Sequence, residues 1–263
     1  MKTLGSAVFS FCLIGFAFIA CDRDKVDPDQ TCNVQSIKNE KNELVSEYTY
    51  DAQKRLTKLS RYGNGALNGY TAYEYPPSKV LERNYNSSGT LLQTVTFELG
   101  SDGLARRSYT SSQAATSTRF DTTRYTFDDK GYRATELRAS TFVQPDGSRQ
   151  TVQSNYEYNM SPTGNLFLLR ITNDAQGSAN TVYDFLYDYH STTNRNPNTR
   201  PYLGKQSINH IKSLTYLING EVQSENQYTH SLDKQGYISR TDLSRTQNGS
   251  SEQSASVYAY VCN

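Results

Sequence analysis

One rhythm runs through almost the whole chain and constrains its fold more than any single motif. An aromatic residue, a polar residue and usually a second aromatic lead into a turn, and a segment carrying Arg with Leu or Ile leaves it. "EYTYDAQKRLTKLSRYG" from Glu47, "YEYPPSKVLERNY" from Tyr73, "RYTFDDKGYRATELRAS" from Arg124, "NYEYNMSPTGNLFLLRI" from Asn155 and "QYTHSLDKQGYISRTDL" from Gln227 all follow it. Alternation over four to eight residues, bounded by Asp, Asn, Pro and Gly, is the signature of a β-hairpin.

The period is two rather than 3.6, which selects strand over helix. Tyr183, Phe185, Tyr187 and Tyr189 fall on one face, with Asp184 and Asp188 on the other. Val95, Phe97 and Leu99 oppose Thr94, Thr96 and Glu98, and Tyr258 and Tyr260 share a face just before Cys262. Asn219-Gly220, Pro145-Asp146-Gly147 and Asn248-Gly249 are turn candidates, and Gly63, Gly65 and Gly69 bracket a further hairpin turn.

These segments predict an all-β fold of about 15 antiparallel strands in an up-and-down meander, since sequential strands joined by short turns pair with each other. One connection breaks the pattern: residues 191–206 hold Pro197, Pro201 and Gly204 without periodicity. It reads as a long loop, functional or merely tolerated, with a short helical turn expected over Ser207–Ile211. A meander of this length must manage its edge strands. No strong helix is available to plug the centre, so a closed or nearly closed barrel is expected, with its apolar face inward. Charged residues such as Arg133, Glu136 and Asp184 are expected on the opposite, solvated face, which makes the barrel soluble rather than a lipid-facing pore. The terminal Asn263 also lacks the closing aromatic of a pore.

The N-terminus reads differently. Lys2 precedes an apolar run from Val8 to Ala20. As a helix that run covers roughly 20 Å, against a bilayer core of ~30 Å, so it suits a signal peptide better than a permanent span. Phe18-Ile19-Ala20-Cys21 resembles a bacterial lipobox, with Phe18 in place of the usual Leu. That resemblance implies cleavage before Cys21 and acylation of its sulfur, which would hold the domain at a membrane. The alternative is an ordinary signal peptide with Cys21 a stray thiol. The organisation expected is therefore a leader over 1–20, a polar tether over 21–33, and one β domain over 34–263.

Of the 27 basic residues only Lys2 precedes Cys21, so the remainder carries 26 basic and 26 acidic residues. A neutral chain offers no field for nucleic acid. The 21 tyrosines, with no tryptophan, suit half-exposed sheet surfaces, because the ring packs while the hydroxyl stays wet. Cys12 leaves with the leader. Cys32 and Cys262 lie near opposite ends of the domain, and export to an oxidising space favours a disulfide between them. Loop-closure models assign such a bond roughly 4–5 kcal/mol; the alternative is two unpaired thiols.

Tyr48-Thr49-Tyr50-Asp51 and Tyr125-Thr126-Phe127-Asp128 resemble YD/RHS-type repeats, although the Gly-Arg turn of that family is missing. The chain as a whole is more similar to a family of uncharacterised bacterial lipoproteins, a domain of unknown function with a porin-like fold. The similarity includes Asn196-Pro197 and the segment Ser207-Ile208-Asn209-His210-Ile211-Lys212. It implies a fold and an outer-membrane location rather than an activity.

Catalytic chemistry finds little footing. The histidines His190, His210 and His230 form no HExxH pair, and no cysteines have zinc spacing. His190 ends a tyrosine strand and His210 follows the long loop, so the two could approach, although strand-end histidines are commoner than ligands. No nucleophile elbow or phosphate-cradling loop occurs. Asp121-Thr122-Thr123 resembles a short O-glycosylation signal, and Asp22, Asp24, Asp27 and Asp29 resemble a surface-export signal or a plain solvated tether. The reading is a non-enzymatic protein without cofactor. It binds a glycan or small amphiphile on Tyr183, Phe185, Tyr187 and Tyr189, or alternatively docks onto an envelope partner.

Overall fold

The computed structural model describes residues 32–113, 118–174, 180–193, 195 and 197–262. The leader, most of the tether with Cys21, and Asn263 lie outside the described residues. Sixteen strands follow one another: β1 (Cys32–Asn39), β2 (Leu44–Tyr50), β3 (Leu56–Gly63), β4 (Ala66–Glu74), β5 (Lys79–Asn86), β6 (Leu91–Leu99), β7 (Ala105–Gln113) and β8 (Thr118–Phe127). The second half adds β9 (Arg133–Val143), β10 (Arg149–Met160), β11 (Leu166–Asp174), β12 (Thr181–Thr193), β13 (Asn209–Ile218), β14 (Glu221–Leu232), β15 (Ile238–Gln247) and β16 (Ser250–Cys262). Each pairs antiparallel with its sequence neighbours, and β1 pairs with β16, so the meander closes into a barrel. The expected architecture is the one observed, with sixteen strands rather than about fifteen.

Closure is fastened at one point. Cys32 and Cys262 are register partners on β1 and β16, and their sulfurs are bonded across a separation of 230 residues.

The turns explain the sequence rhythm. After β2, β8 and β14, an aspartate ends the strand: Asp51, Asp128 and Asp233. In each case its Oδ1 accepts the N–H groups two and four residues on, from Gln53 and Arg55, Lys130 and Tyr132, Gln235 and Tyr237. The same residue's backbone N–H donates to the carbonyl four residues on. The fourth position of these turns has positive φ and is Lys54, Gly131 or Gly236, a conformation that favours glycine. At the other end of the barrel, Asn64-Gly65, Asn219-Gly220 and Asn248-Gly249 have positive φ at both residues, the geometry of two-residue I′ hairpins.

Register partners across a ladder share a face, so one path can be followed round the barrel. Tyr73 pairs with Glu82, Val80 with Phe97, Phe97 with Ser108, Tyr125 with Glu136, Glu136 with Tyr156, Tyr158 with Leu169, Leu169 with Phe185, and Phe185 with Tyr216. This is the inner face, and it holds the aromatics. The outer face carries charged pairs at mid-strand, such as Arg170 with Asp184 at 2.8 Å and Arg240 with Asp242 at 2.6 Å. In hydrocarbon such charges would cost several kcal/mol.

One expectation about polarity fails. Arg133 and Glu136 lie on the inner face, not the outer. Glu136 sits between Tyr125 and Tyr156 in the ladders and is 2% exposed. Its charge is matched by Arg133 at 2.8 Å and by Arg138, and the Tyr158 hydroxyl donates to it at 3.0 Å. A buried carboxylate is tolerable when paired and hydrogen-bonded in this way. Asp184 does face outward, paired to Arg170.

A second expectation fails for a geometric reason. Side chains fill a barrel of eight strands, whereas sixteen strands enclose a lumen too wide for them to meet across. The connection between β12 and β13 folds into that lumen. A 3₁₀ turn over Pro201–Leu203, not the helical turn expected at Ser207–Ile211, carries Tyr202 into the barrel. Tyr202 is 4% exposed and packs with Val80, Phe97, Ala105 and Tyr125. Its ring centroid is 5.1 Å from that of Phe97, and its hydroxyl hydrogen bonds to Glu82. Arg133 donates to the Leu203 carbonyl at 3.0 Å, and Lys205 N–H donates to the Gly131 carbonyl at 2.9 Å. The long loop is a plug built from chain, packed on the wall of β4 to β9 at the end that also holds the disulfide.

Candidate functional site

The stripe on β12 is the natural starting point. Thr181 opens the strand at the end opposite the plug, and Thr193 closes it where the plug begins. Tyr183, Phe185, Tyr187 and Tyr189 therefore descend the lumen wall in order, from the far rim to the plug. All four are half-buried. They are neither fully packed core nor open surface, which is what a lumen too wide to fill produces.

Cross-strand partners widen the stripe into a panel. Tyr216 on β13 stacks on Phe185 at 4.8 Å and lies parallel to Tyr183 at 6.3 Å. At the rim, therefore, three half-buried rings lie roughly parallel to one another. Deeper down, burial pushes the Tyr187 hydroxyl up to about 12, with Tyr189 and Tyr228 adding to the effect. The Tyr189 hydroxyl donates to the Leu166 carbonyl at 2.7 Å and contacts Ser207 Oγ at 2.9 Å, which locks the lower end of the stripe to the plug.

The lower half of the stripe opens onto a cavity of about 500 Å³. Tyr187, Tyr189, Tyr228 and Tyr258 line it, together with His210, His230, Ile211, Ile238 and Thr241. A bulge that leaves Lys212 unpaired between β12 and β13, and the wide gap between Tyr189 and Thr193 in the same ladder, let the histidine region fold inward. The approach of His190 and His210 is mediated by a third ring: His230 lies 5.6 Å from His190 and 5.4 Å from His210. Burial, reinforced by His230 and His190, pushes the His210 imidazole down to about 4. Burial likewise lowers His230.

These rings are not arranged around a metal. His230 uses both nitrogens, Nε2 on the Ile211 carbonyl at 2.7 Å and Nδ1 on Thr241 Oγ1 at 2.9 Å. His190 Nε2 donates to the Tyr228 carbonyl at 3.0 Å. Among the described residues no group of His, Cys, Asp and Glu has a cation-binding arrangement.

A second hollow of about 410 Å³ lies at the plugged end. Pro197, Thr199 and Pro201 of the plug form one side, and Tyr50, Arg55, Tyr75 and Leu104 the other. Arg55 stands 4.5 Å over the Tyr75 ring.

Sequence reasoning located the stripe and missed its partners. Tyr228 and Tyr258 were legible only as members of other hairpins, because their approach to Tyr187 depends on barrel closure. Tyr202 and Glu82 carried no signal of pairing at all. Of the remaining expected site residues, Cys32 and Cys262 are bonded to each other, and Cys21 lies outside the described residues.

No family model matches the chain, and no curated protein does. Solved structures do. A porin-like protein from Bacteroides uniformis ATCC 8492 is 18% identical, with a TM-score of 0.57, and the match covers 86% of this chain and 96% of that one. A porin-like protein from Bacteroides vulgatus ATCC 8482 is 15% identical, with a TM-score of 0.59, covering 87% of this chain and 99% of that one. At these identities the likeness establishes the fold, a porin-like barrel.

Proposed function

We propose that this chain is a non-enzymatic lipoprotein of the bacterial outer membrane whose barrel binds a glycan or a small amphiphile. The observation that carries the reading is the half-buried panel of Tyr183, Phe185, Tyr187 and Tyr189, running from one rim down to the plug. Flat rings with wet edges suit ligands that have one apolar face and several hydroxyls, or an apolar body and a polar head.

The anchor and the panel are compatible in geometry. Cys32 begins β1 at the plugged end. A tether from Cys21 to Cys32 spans at most ~40 Å, so an acylated Cys21 would keep the plugged end within that distance of the membrane. Among the described residues the connections at the opposite rim are short hairpin turns.

Two measurements test this reading. Mass spectrometry of protein extracted from membranes is expected to find acyl chains on Cys21, and Cys21→Ser is expected to release the protein into the soluble fraction. A thermal-shift screen against neutral glycans, fatty acids and lysolipids is expected to find stabilisation by at least one class. Stabilisation by none, with an unacylated Cys21, would refute the proposal.

The hollow at the plugged end supports a second reading, docking of an envelope protein between the plug and the turns carrying Arg55 and Leu104. Crosslinking from a photoreactive residue at Lys54 in intact membranes is expected to yield one dominant partner under this reading, and only abundant bulk proteins if it is wrong.

A further inference from the structure

The barrel wall is split beside the histidines. The ladder between β13 and β14 runs from Ile218 and Glu221 to Ser213 and Gln227 and stops there, although β13 begins at Asn209 and β14 continues to Leu232. Each loose end stays with its other neighbour. Asn209 and Ile211 pair with Thr193 and Tyr189 of β12, and Tyr228 and His230 pair with Leu243 and Thr241 of β15. Main-chain groups along a broken ladder need other partners, and imidazoles supply them. His230 of β14 donates from Nε2 to the Ile211 carbonyl of β13 at 2.7 Å, and His190 of β12 donates to the Tyr228 carbonyl of β14 at 3.0 Å. His210 completes the cluster, 2% exposed and 5.4 Å from His230.

This staple suits uncharged rings only. His210 Nε2 is buried without a partner, so a doubly protonated ring would carry a buried charge and an N–H with no acceptor. Imidazolium rings 5.4 and 5.6 Å apart would also repel within the wall. Little around them offsets this. Asp188 of β12 and Lys212 of β13 pair with each other at 3.1 Å, and Asp188 also feels His190. The titratable groups that β12, β14 and β16 bring to the adjoining cavity are Tyr187, Tyr189, Tyr228 and Tyr258, and β11, the plug and β15 bring no acid or base to it.

We propose that the split between β13 and β14 is a lateral gate into the lumen, stapled shut by the three uncharged histidines and opened by acid. It leads to the cavity lined by Tyr187 and Tyr228, so the wall parts where the aromatic stripe meets the plug. The inference concerns the wall and is independent of what the lumen binds.

The fold contains its own control. The ladder between β1 and β2 also stops short, at Ser36 and Glu47, and the Tyr50 hydroxyl donates across that gap to the Val34 carbonyl at 3.0 Å. Burial raises this phenol further above the ordinary tyrosine range, so it keeps its proton in acid and its split is expected to stay closed.

The chain has three histidines, so an imidazole titration by nuclear magnetic resonance on untagged protein, from about pH 8 to about pH 4, reads the cluster directly. In a wall that stays closed each charge opposes the next, and the rings titrate in sequence with a Hill coefficient below about 1. A gate that opens exposes the remaining rings to water. The three are then expected to titrate together, with a Hill coefficient of about 1.5 or more. Hydrogen exchange, corrected for the intrinsic effect of pH, is expected to lose about tenfold in protection over 209–212 and 228–232 in the same range, while 32–35 and 48–50 hold theirs. Sequential titration with unchanged protection would overturn the gate. So would protection that falls equally in every strand, which is global unfolding. The triple variant His190→Gln, His210→Gln, His230→Gln keeps uncharged donors, and its exchange over 209–212 is expected to be indifferent to acid. If it does not fold, His230→Gln alone removes the ring next to both others, and is expected to return the Hill coefficient to about 1 or below. An acid response that persists in the folded variant would place the sensor elsewhere and overturn the inference.

Discussion

Tyr202 hydrogen bonds through its hydroxyl to the carboxylate of Glu82, a residue 120 positions earlier in the chain. The contact joins the plug to the wall on the far side of the meander. Arg200 reaches the same carboxylate at 3.3 Å and donates to the Tyr73 hydroxyl at 3.2 Å. Burial, with the Glu82 charge beside it, pushes the Tyr202 hydroxyl far above the ordinary tyrosine range, so it is a donor at every physiological pH.

Tyr202→Ala should therefore destabilise the barrel by about 3–5 kcal/mol, the cost of deleting a buried aromatic side chain. Tyr202→Phe keeps the ring against Phe97 and should cost less, about 1–3 kcal/mol, for a carboxylate left one donor short. Urea unfolding followed by near-ultraviolet circular dichroism measures both. A Tyr202→Phe variant as stable as the parent would mean that the hydroxyl contributes nothing, and equal losses in the two variants would mean that the ring contributes nothing.

Reduction of the Cys32–Cys262 bond frees the seam between β1 and β16. With a loop of 230 residues, the double variant Cys32→Ser, Cys262→Ser should lose up to about 4–5 kcal/mol. Its melting temperature should be indifferent to dithiothreitol, whereas the parent should fall to the same value on reduction. A parent insensitive to reductant would show that hydrogen bonding alone secures the seam.

Glu136 is the hub of the inner-face charges. Glu136→Ala would leave Arg133 and Arg138 without their countercharge and the Tyr158 hydroxyl without its acceptor, and should cost about 3 kcal/mol. Glu136→Gln retains an acceptor and should cost less. Chemical denaturation ranks the two, and a neutral alanine variant would contradict the pairing.

The histidine cluster makes stability fall with acidity. His210 is held neutral in the fold, at about 4 against an ordinary 6.5, so the unfolded chain takes up its proton first. Stability is full above about pH 6.5 and declines as pH drops toward about 4, by on the order of 2–3 kcal/mol. His230, lowered in the same direction, adds to the slope. Melting temperatures between pH 7.5 and 4 should show the decline, and His210→Gln should flatten it. A slope unchanged in that variant would place its origin in His230 or the carboxylates rather than in His210.

The rim panel should be dispensable for folding. Tyr183 is half-buried and its neighbour Tyr216 lies near the rim, so Tyr183→Ala should cost only about 1 kcal/mol of stability. A glycan or amphiphile held on the panel should nevertheless bind more weakly. Paired melting and titration experiments separate the two effects, and a stability loss as large as that of Tyr202→Ala would make the panel core.

How much of this could be read from the sequence depends on range. Tyr50-Asp51 and Phe127-Asp128 announce their turns because the aspartate caps N–H groups only two and four residues away. The face shared by Tyr183, Phe185, Tyr187 and Tyr189 follows from the pleat alone. Arg133 departs from the expected face because a bulge at Ala134 shifts its pairing with β8, and Glu136 because a buried carboxylate looks like a solvated one until its partners are known. The plug was misread because Pro201-Tyr202-Leu203 has no periodicity, and its burial is a fact about residues 80 to 125.

By itself, then, the sequence determined what is local: the strands, their turns, the face each aromatic takes, and the neutral, tyrosine-rich character of the wall. Only the tertiary structure decided that the strands number sixteen, that the lumen this leaves is too wide for side chains to fill, and that the chain folds Tyr202 into it against β5 to β8. The physical reason is that pleat and turn act over a few residues, whereas closure, plug and cavity are set by contacts between residues more than a hundred positions apart.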